Sequence, residues 1–363
     1  MSAELIVVGG FLGAGKTTSI LSIAKYLLDS GKKVGIVTND QGSDLVDTNF
    51  LKSSGMSVLE VAGGCFCCNF EEFINKVQTL AENEMPDVIL AEPVGSCTDL
   101  IATIFKPIEL KYMTKIILRP LSIVVDPKRI KRLLMEENSD FHSEINYLFR
   151  KQLEEADIIV LNKIDSLAQE EINKITDFIK YKFNSADVVC VSAKNHLNID
   201  GWINTIYDVS VTKARTLDID YTIYGDAEAR LGWLNLTTGI ATDKNMDINE
   251  FIEKVMNELK EEFIENNFEI AHLKIYGVSE EDWSKASITS IHEEIDFSKK
   301  SEKLSSRWNV IINARIDAEP EALKDSLKKI FYSVVETKKI KILDLNMECF
   351  KPGKPNPTYR IKK

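Results

Sequence analysis

The sequence predicts an α/β protein in which a P-loop domain with a mainly parallel sheet is followed by a smaller α+β domain. Over the first 210 or so residues, short apolar segments typical of buried strands alternate with amphipathic helical segments. A glycine-rich loop, Gly10–Thr17, lies between the first predicted strand and the first predicted helix. After Asp208 the order of elements changes, which indicates a second domain of a different class.

The alternation defines the elements of the first domain in order. Apolar runs predict strands at Leu5–Val8, Val34–Thr38, Val58–Val61, Val88–Ala91, Leu121–Val125, Ile158–Leu161 and Val188–Ser192. Apolar residues three or four positions apart predict helices at Lys16–Ser30, Glu71–Asn83, Thr98–Phe105, Lys128–Met135, Glu144–Ala156 and Ala168–Phe183. The sheet should therefore be covered by helices on both faces.

The second domain is predicted to be an antiparallel sheet with helices on one face. Strands are expected at Leu231–Ile240, Glu269–Tyr276, Ser287–Ile291 and Asn309–Ile316, and helices at Ile248–Ile264 and Pro320–Val335. The predicted boundaries are 1–208 for the P-loop domain, 209–228 for an irregular linker, 229–345 for the second domain and 346–363 for a basic tail. The proline-containing tail is expected to be extended, with its Lys/Arg cluster solvated.

Composition limits the function classes. The chain has 45 basic and 56 acidic side chains and a net charge of −11, which disfavours binding to nucleic acid and to anionic membranes. Apolar runs are too short to span a bilayer and no signal peptide precedes the first strand, so a cytoplasmic protein is expected. Six cysteines, three of them clustered, do not resemble a disulfide framework.

The glycine-rich loop has the strand-to-helix context of a phosphate-binding motif. Glycine lets the backbone wrap so that N–H groups face the phosphates, Lys16 places a charge on the β and γ oxygens, and the Thr17 hydroxyl can bind Mg²⁺. The alternative is a tight turn without a ligand. The candidate phosphate-binding residues are Gly10, Gly13, Ala14, Gly15, Lys16, Thr17 and Thr18.

Two later segments, each after a predicted strand, indicate which base is bound. In Asn162-Lys163-Ile164-Asp165, the carboxylate of Asp165 can accept hydrogen bonds from N1 and N2 of guanine, whereas adenine has no matching pair of donors. In Ser192-Ala193-Lys194, a backbone amide can donate to the guanine O6. The candidate base-binding residues are Asn162, Lys163, Asp165, Ser192, Ala193 and Lys194, and they favour GTP and GDP over adenine nucleotides.

Hydrolysis of GTP requires a metal-bound triphosphate and a positioned water. The predicted strand Val88–Ala91 is followed by Glu92, a candidate for the Mg²⁺ shell, and by Gly95, a candidate sensor of the γ-phosphate. Asp40 is a second candidate for the metal shell or for a switch. A helix cap or a salt bridge is the alternative for Glu92, and for Asp40 the choice stays open. Together with Lys16, these three are the candidate catalytic residues.

Cys65, Cys67 and Cys68 place three thiols within four residues. Three thiolates can bind a transition metal and leave a fourth position for water, a carboxylate or a client's ligand. Zn²⁺ and Co²⁺ both suit such a site, and Cu(I) would bind thiolates tightly. The alternatives are a free-thiol turn or a redox pair. Cys97 is a further candidate for the metal site, although the favoured interpretation is that Cys97 is simply a small buried side chain.

Four segments resemble the CobW-type metallochaperone GTPases, relatives of the hydrogenase and urease nickel-insertion GTPases within the SIMIBI class. They are Gly9–Thr18, Gly63–Cys68, Glu92–Gly95 and Asn162–Asp165. The resemblance implies a GTPase domain, a smaller carboxy-terminal domain, delivery of zinc or cobalt to a client metalloprotein or within cobalamin metabolism, and a nucleotide-dependent homodimer.

The chain also departs from this family. Members often have Asn-Glu-Phe-Gly-Glu after the second strand, whereas this chain has Thr38-Asn39-Asp40-Gln41-Gly42-Ser43, with fewer acids to complete a metal shell. A histidine-rich stretch is absent, since the four histidines are well separated. The identity of the metal therefore stays open.

Four functions compete at this stage. The leading hypothesis is a GTP-hydrolysing metal-delivery factor. The second is a GTP-dependent regulatory switch in which the cysteines hold a purely structural zinc. The third is an activator or reactivator of a corrinoid protein, and the weakest is a small-molecule kinase, since no acceptor site is identified.

Overall fold

A computed structural model describes residues 3–40, 57–62, 64–112, 116–135, 142–211 and 216–362, without the side chains of Asp40 and Ala62. The described residues fall into two compact units. The first contains the described residues up to 225 together with residues 354–362, and the second contains residues 226–353. None of the described helices is long and apolar enough to cross a membrane.

The described part of the first unit contains a parallel sheet of eight strands. They are β1 (Ala3–Gly9), β2 (Val34–Asp40), β3 (Val58–Ala62), β4 (Val88–Glu92), β5 (Ile116–Leu118), β6 (Ser122–Val125), β7 (Ile158–Leu161) and β8 (Asp187–Cys190). The strand order is β3-β2-β4-β1-β6-β7-β8, and β5 pairs with the first half of β1. Every pairing between these strands is parallel, as the apolar runs predicted.

The helices described in the first unit are α1 (Lys16–Asp29), α2 (Phe70–Asn83), α3 (Lys106–Lys111), α4 (Pro127–Ile130), α5 (Ser143–Glu155), α6 (Gln169–Lys182) and α7 (Ile199–Asp208), and α8 (Tyr221–Arg230) starts in this unit. Short π-helical segments, Ile101–Phe105 and Lys131–Met135, precede α3 and follow α4. Ile6, Ile36, Leu90 and Val160 are fully buried, because both faces of a parallel sheet are covered.

The second unit contains an antiparallel sheet. Its strands are β9 (Leu231–Met246), β10 (Glu269–Val278), β11 (Trp283–Ile288), β12 (Asp296–Lys299), β13 (Ser305–Asp317) and β14 (Lys341–Phe350), in the order β12-β11-β10-β13-β9-β14. Two 18-residue helices, α9 (Ile248–Glu265) and α10 (Pro320–Thr337), contribute to a separate core. The side chain of Asp247 caps α9 by accepting a hydrogen bond from the Asn249 amide.

The structure corrects several predictions. The region 209–228, expected to be an irregular linker, contains the start of helix α8 at Tyr221. The tail was predicted to start at residue 346, but this residue lies within strand β14, which continues to Phe350. Residues 356–362 make backbone and side-chain hydrogen bonds within the first unit, so this end of the chain is not simply solvated. Strands β5, β12 and β14 and helix α7 had not been predicted.

In a parallel sheet the carboxyl ends of the strands lie at one edge, where open α/β folds bind their ligands. Strand β1 leads from that edge into the glycine-rich loop, β3 leads toward the cysteines, and β4 ends at Glu92. Strands β7 and β8 lead into the two predicted base-binding segments. The sheet therefore gathers all the predicted motifs at one edge.

Candidate nucleotide and metal site

The loop after β1 requires glycine at two described positions. Gly10 has a φ of 134°, and a Cβ atom there would lie 2.2 Å from the Val124 carbonyl oxygen. Gly15 has a φ of 94°, and a Cβ atom there would lie 2.5 Å from the Asn162 amide nitrogen. Only glycine fits such a close, left-handed path, and α1 starts directly afterwards at Lys16. The loop thus ends at a helix N-terminus, which favours phosphate.

Lys16, Thr17, Glu92 and Gly95 meet beside this loop. The Thr17 hydroxyl donates to the Glu92 carboxylate at 3.0 Å, and both side chains are buried. The Lys16 ammonium donates to the Phe11 carbonyl at 3.3 Å and would lie 3.0 Å from a Cβ atom added at Gly95. A hydroxyl and a carboxylate side by side are hard oxygen ligands of the kind that Mg²⁺ takes. These residues therefore fit a magnesium-bound phosphate site.

Residues 93–99, here called the β4 loop, are held by a residue that the sequence did not single out. The Gln152 side chain on α5 donates to the carbonyl oxygens of Gly95 at 3.0 Å and Cys97 at 2.8 Å. Gln152 is only 1% exposed. A glutamine on the apolar face of a predicted helix was the available signal, because a buried amide needs partners.

Asn162 joins the phosphate loop to the second base segment. Its side-chain amide donates to the Ala14 carbonyl at 3.0 Å, and its oxygen accepts from the Ala193 amide at 3.0 Å. Ser192 is buried and follows β8. The three predicted segments are therefore connected through one side chain.

The remaining base candidates differ in exposure. Asp165 and Lys194 are exposed, as groups that meet a ligand from solvent need to be. Lys163 adopts a left-handed backbone, with a φ of 61°, and its ammonium pairs with Asp126 at 2.6 Å.

Two further candidates lie outside the base segments. Thr18 lies in the first turn of α1. Asp40 ends β2, but its side chain lies outside the described part of the structure, so its proposed metal role stays a prediction.

Cys65, Cys67 and Cys68 form the only group of three or more potential metal ligands among the described residues. Their sulfur atoms are 2.9 Å apart for Cys65–Cys67, 3.0 Å for Cys65–Cys68 and 3.9 Å for Cys67–Cys68. These distances exceed the roughly 2.05 Å of a disulfide bond, and all three are free thiols. With a Zn–S bond of about 2.3 Å, a tetrahedral ion needs sulfurs slightly under 4 Å apart, so small rotations would suffice.

Asn39 at the end of β2 supports the cysteine turn. Its side-chain amide donates to the carbonyls of Val61 and Gly64, and its oxygen accepts from the Phe66 amide at 2.7 Å. The turn then continues into α2, where the Phe66 ring stacks on Phe73 with centroids 4.2 Å apart. Sequence reasoning missed Asn39, whose role depends on the pairing of β2 with β3.

The thiols are electrostatically unequal. Hydrogen bonds from the Cys67 and Cys68 thiols hold the pKa of Cys65 far below its usual value. The same interaction with Cys65, together with burial, raises the pKa of Cys67 and raises that of Cys68 to about 11. One thiolate and two thiols are therefore expected before a metal ion binds.

A fourth cysteine adjoins this cluster. Cys97, which is 1% exposed, lies within hydrogen-bonding reach of the thiols of Cys65 and Cys67. It belongs to the β4 loop, two residues after Gly95. The β4 loop therefore contacts the phosphate site through Gly95 and the cysteine cluster through Cys97.

The fold and the site together define a P-loop nucleotide-binding domain of the GTPase type with a cysteine cluster beside it. Residues 4–189, just over half of the chain, match the family model described as CobW/HypB/UreG, nucleotide-binding domain. The chain belongs to this family.

Two curated relatives share part of the chain. The zinc chaperone YeiR of Escherichia coli is 36% identical over 167 residues, which cover 45% of this chain and 47% of the relative. The zinc chaperone CobW of Sinorhizobium sp is 31% identical over 212 residues, or 52% and 58%. The chain thus spans about half the length of the curated relatives it matches. The crystal structure of Zn(II)-bound YjiA GTPase from E. coli is 14% identical, covers 92% of this chain and 99% of its own, and has a TM-score of 0.37.

Proposed function

We propose that this protein is a GTP-hydrolysing zinc chaperone that couples its nucleotide state to the binding and release of zinc. The observation that carries the proposal is the β4 loop, which places Gly95 beside Lys16 and Cys97 beside the cluster of Cys65 and Cys67. The relatives that are named zinc chaperones support zinc as the cargo.

In this proposal the nucleotide half uses residues with distinct roles. The glycine loop and the N-terminus of α1 bind the phosphates, and Lys16 neutralises charge on the β and γ oxygens. Thr17 and Glu92 would hold Mg²⁺, which supplies charge stabilisation to the phosphoryl group when bound. Gly95 would donate its amide to the γ-phosphate, and Asp165 would select guanine.

The metal half uses the three clustered thiols. Zinc is soft enough to prefer sulfur, and a ligand set of three leaves one position open. An open position suits transfer, because a ligand of the receiving protein can enter before the last chaperone sulfur leaves. Zinc binding must displace the protons of Cys67 and Cys68, so the affinity should fall as the pH falls.

The two halves would communicate through the β4 loop and the segment from Cys65 to Glu71. A bound γ-phosphate would hold Gly95 in one position, and its loss on hydrolysis would release the loop. Because Cys97 moves with the same loop, the surroundings of the cluster would change and with them the zinc affinity.

The decisive experiment measures the zinc and cobalt affinities of the reduced protein with GDP and with a non-hydrolysable GTP analogue. We expect a nucleotide-dependent affinity that is lost when Cys65, Cys67 and Cys68 are all replaced by serine. Cys190→Ser is the matched control, since that thiol lies on β8 and hydrogen-bonds to Thr176. Lys16→Ala should abolish GTP turnover without removing the metal site.

Two results would contradict the proposal. Zinc affinity that is equal in both nucleotide states, with slow chelation in each, would instead favour a structural zinc in a GTP-dependent switch. If the triple cysteine replacement leaves the zinc affinity unchanged, zinc binds to other residues.

The finer points stay predictions, from the resemblance and, for the location, from the composition. They are cobalt as an alternative cargo, a client metalloprotein or corrinoid-related protein as the partner, a cytoplasmic location and a nucleotide-dependent homodimer.

A further inference from the structure

Residues 356–362, here called the strap, run along the cysteine cluster within the first unit. The Thr358 amide donates to the Cys67 carbonyl at 2.9 Å, and the Thr358 hydroxyl donates to the Cys68 carbonyl at 2.9 Å. The Ile361 amide donates to the Ala102 carbonyl at 2.9 Å. These contacts fix the strap to the cysteine turn at Thr358 and to Ala102 at Ile361.

One strap contact reaches a thiol directly. The Asn356 backbone amide lies 3.3 Å from the Cys68 sulfur, within the range of an N–H···S hydrogen bond. Cys68 is the most exposed of the three clustered cysteines, so the strap lies on the side from which a metal ion or a partner would approach. Amide donors of this kind stabilise a thiolate and would have to be displaced by an incoming ligand.

Tyr359 adds a second set of contacts, to α2 and to Lys111 at the end of α3. Its hydroxyl donates to Glu71 at 2.8 Å, its ring packs edge-on against Phe70 with centroids 5.4 Å apart, and the Lys111 ammonium lies 3.7 Å from its centroid. Phe70 is fully buried, whereas Glu71 is exposed. Tyr359 therefore anchors the strap at the rim of the site through modest, reversible interactions.

The strap is also tied to the β4 loop. Arg360 pairs with Asp99 at 2.6 Å, and its guanidinium lies 4.5 Å from the Tyr221 ring. Asp99, which is 1% exposed, also accepts a hydrogen bond from the Tyr221 hydroxyl and has a left-handed φ of 64°. Its position is set by the same loop that carries Gly95 and Cys97.

We propose that the strap is a removable cover of the cysteine cluster, anchored through Arg360 to Asp99 on the β4 loop. The closed strap protects Cys68 and retains bound metal, and it must leave before the metal can pass to another protein. A nucleotide-dependent shift of the β4 loop moves the anchor and so changes how long the strap stays closed. The metal part of this inference rests on the proposed zinc site, whereas the covering of Cys68 does not.

The covering is tested by the alkylation rate of Cys68 in the reduced, metal-free protein, followed by mass spectrometry with iodoacetamide as the reagent. The rates are compared per Cys68 thiolate, taken from their dependence on pH, because the Asn356 amide also favours ionisation of that thiol. On this basis a chain ending at Gly353 should react about tenfold faster, the factor that one hydrogen bond to a charged acceptor represents. Asn356→Pro removes the amide donor and should react faster as well, whereas Asn356→Ala keeps that amide and should react like the parent. Equal rates in all four proteins would overturn the cover.

The consequence for metal is tested by transfer of zinc from the loaded protein to a chelator. Asn356→Pro should speed transfer relative to Asn356→Ala, and equal transfer rates with faster alkylation would overturn metal retention by the strap. The separate loss of zinc binding on replacing the three cysteines tests the proposed function, so the two failures can be told apart.

The anchor is tested with a pair of variants in the strap. Arg360→Ala removes the buried ion pair, whereas Lys362→Ala removes a charge whose partner, Asp218, is 99% exposed. The difference in zinc transfer rate between GDP and a non-hydrolysable GTP analogue should disappear in Arg360→Ala and persist in Lys362→Ala. A full nucleotide dependence in Arg360→Ala would overturn the anchor.

Discussion

Glu155 shows how burial controls the charge of a single carboxyl group close to the β4 loop. It ends α5, is 1% exposed and accepts a hydrogen bond from the Thr98 hydroxyl at 3.0 Å. Burial, and then the nearby negative charge of Asp99, raises the pKa of Glu155 to about 8. The carboxyl is therefore expected to be protonated at neutral pH, and the loop that carries Cys97 packs against a neutral neighbour.

This pKa predicts how stability varies with pH. In the unfolded chain Glu155 ionises near its ordinary value of 4.5, so the folded state binds the extra proton between pH 4.5 and about 8. The stabilisation is complete below pH 4.5, is lost as the pH rises through that window, and changes no further above it. Replacing Glu155 with glutamine should remove the loss and stabilise the protein at pH 8 by about 1–3 kcal/mol.

Melting temperatures between pH 5 and 8.5 measure this effect. Glu154→Gln is the matched control, because Glu154 pairs with Lys151 and Arg150 and its pKa is lowered. If Glu155→Gln and the parent protein share one melting profile, the carboxyl has the same pKa in the folded and unfolded states.

At the scale of elements, the site depends on loops that follow different strands and are joined by single side chains. Asn162 after β7 bonds to the phosphate loop after β1 and to Ala193 after β8. Gln152 holds the β4 loop, and Asn39 holds the cysteine turn. Each of these side-chain amides forms hydrogen bonds with backbone groups of the loops, and leaving such groups buried without partners would destabilise the folded state.

Asn162→Ala should therefore weaken nucleotide binding and stability together. It removes two hydrogen bonds and leaves buried backbone groups without partners, so the free energy of unfolding should fall by about 1–3 kcal/mol. Because the two loops are no longer joined, GDP affinity should fall by about tenfold, or about 1.4 kcal/mol. Titration with a fluorescent GDP analogue and a melting curve measure the two effects.

Asn173→Ala makes the same chemical change on the exposed face of α6, where Asn173 accepts a hydrogen bond from Gln169, and it should alter neither property. GDP affinity that is unchanged in Asn162→Ala would show that the connection between the loops does not support the nucleotide site.

At the scale of the whole molecule, each unit has a core of its own. The buried cluster of the second unit is built entirely from residues between Leu234 and Ile340, including Phe251, Phe263 and Trp308. The first unit buries a different cluster around Ile6, Leu90 and Val160. A unit with its own core can fold without the rest of the chain.

A fragment of residues 231–353 should consequently fold alone. We expect a mixed α/β circular dichroism spectrum and one cooperative thermal transition, because the six strands and two helices share one large apolar core. The full chain, measured alongside, supplies the reference for helix and strand content. A gradual, non-cooperative transition of the fragment would show that its core needs the remaining residues.

Much of the first domain could be predicted from sequence because interior parallel strands are short, apolar and separated by amphipathic helices. Strand β7 matches its predicted bounds, and β1, β2, β3 and β4 lie within a residue or two of theirs. Strand β5 has three partly exposed residues, and edge strands β12 and β14 carry many polar side chains. These strands depend on pairing with neighbours, and local composition does not reveal the pairing.

The sequence by itself determined the class of the protein and the chemical groups at its site. The phosphate loop, the base segments and the cysteine cluster are local motifs, because each uses residues within a few positions of one another. Only the tertiary structure showed that Gln152 and Asn39 hold these motifs, that Cys97 adjoins the thiols and that Asn356 and Thr358 contact Cys68. Those contacts join residues far apart in the chain, and the topology of the sheet and the path of the tail bring them together.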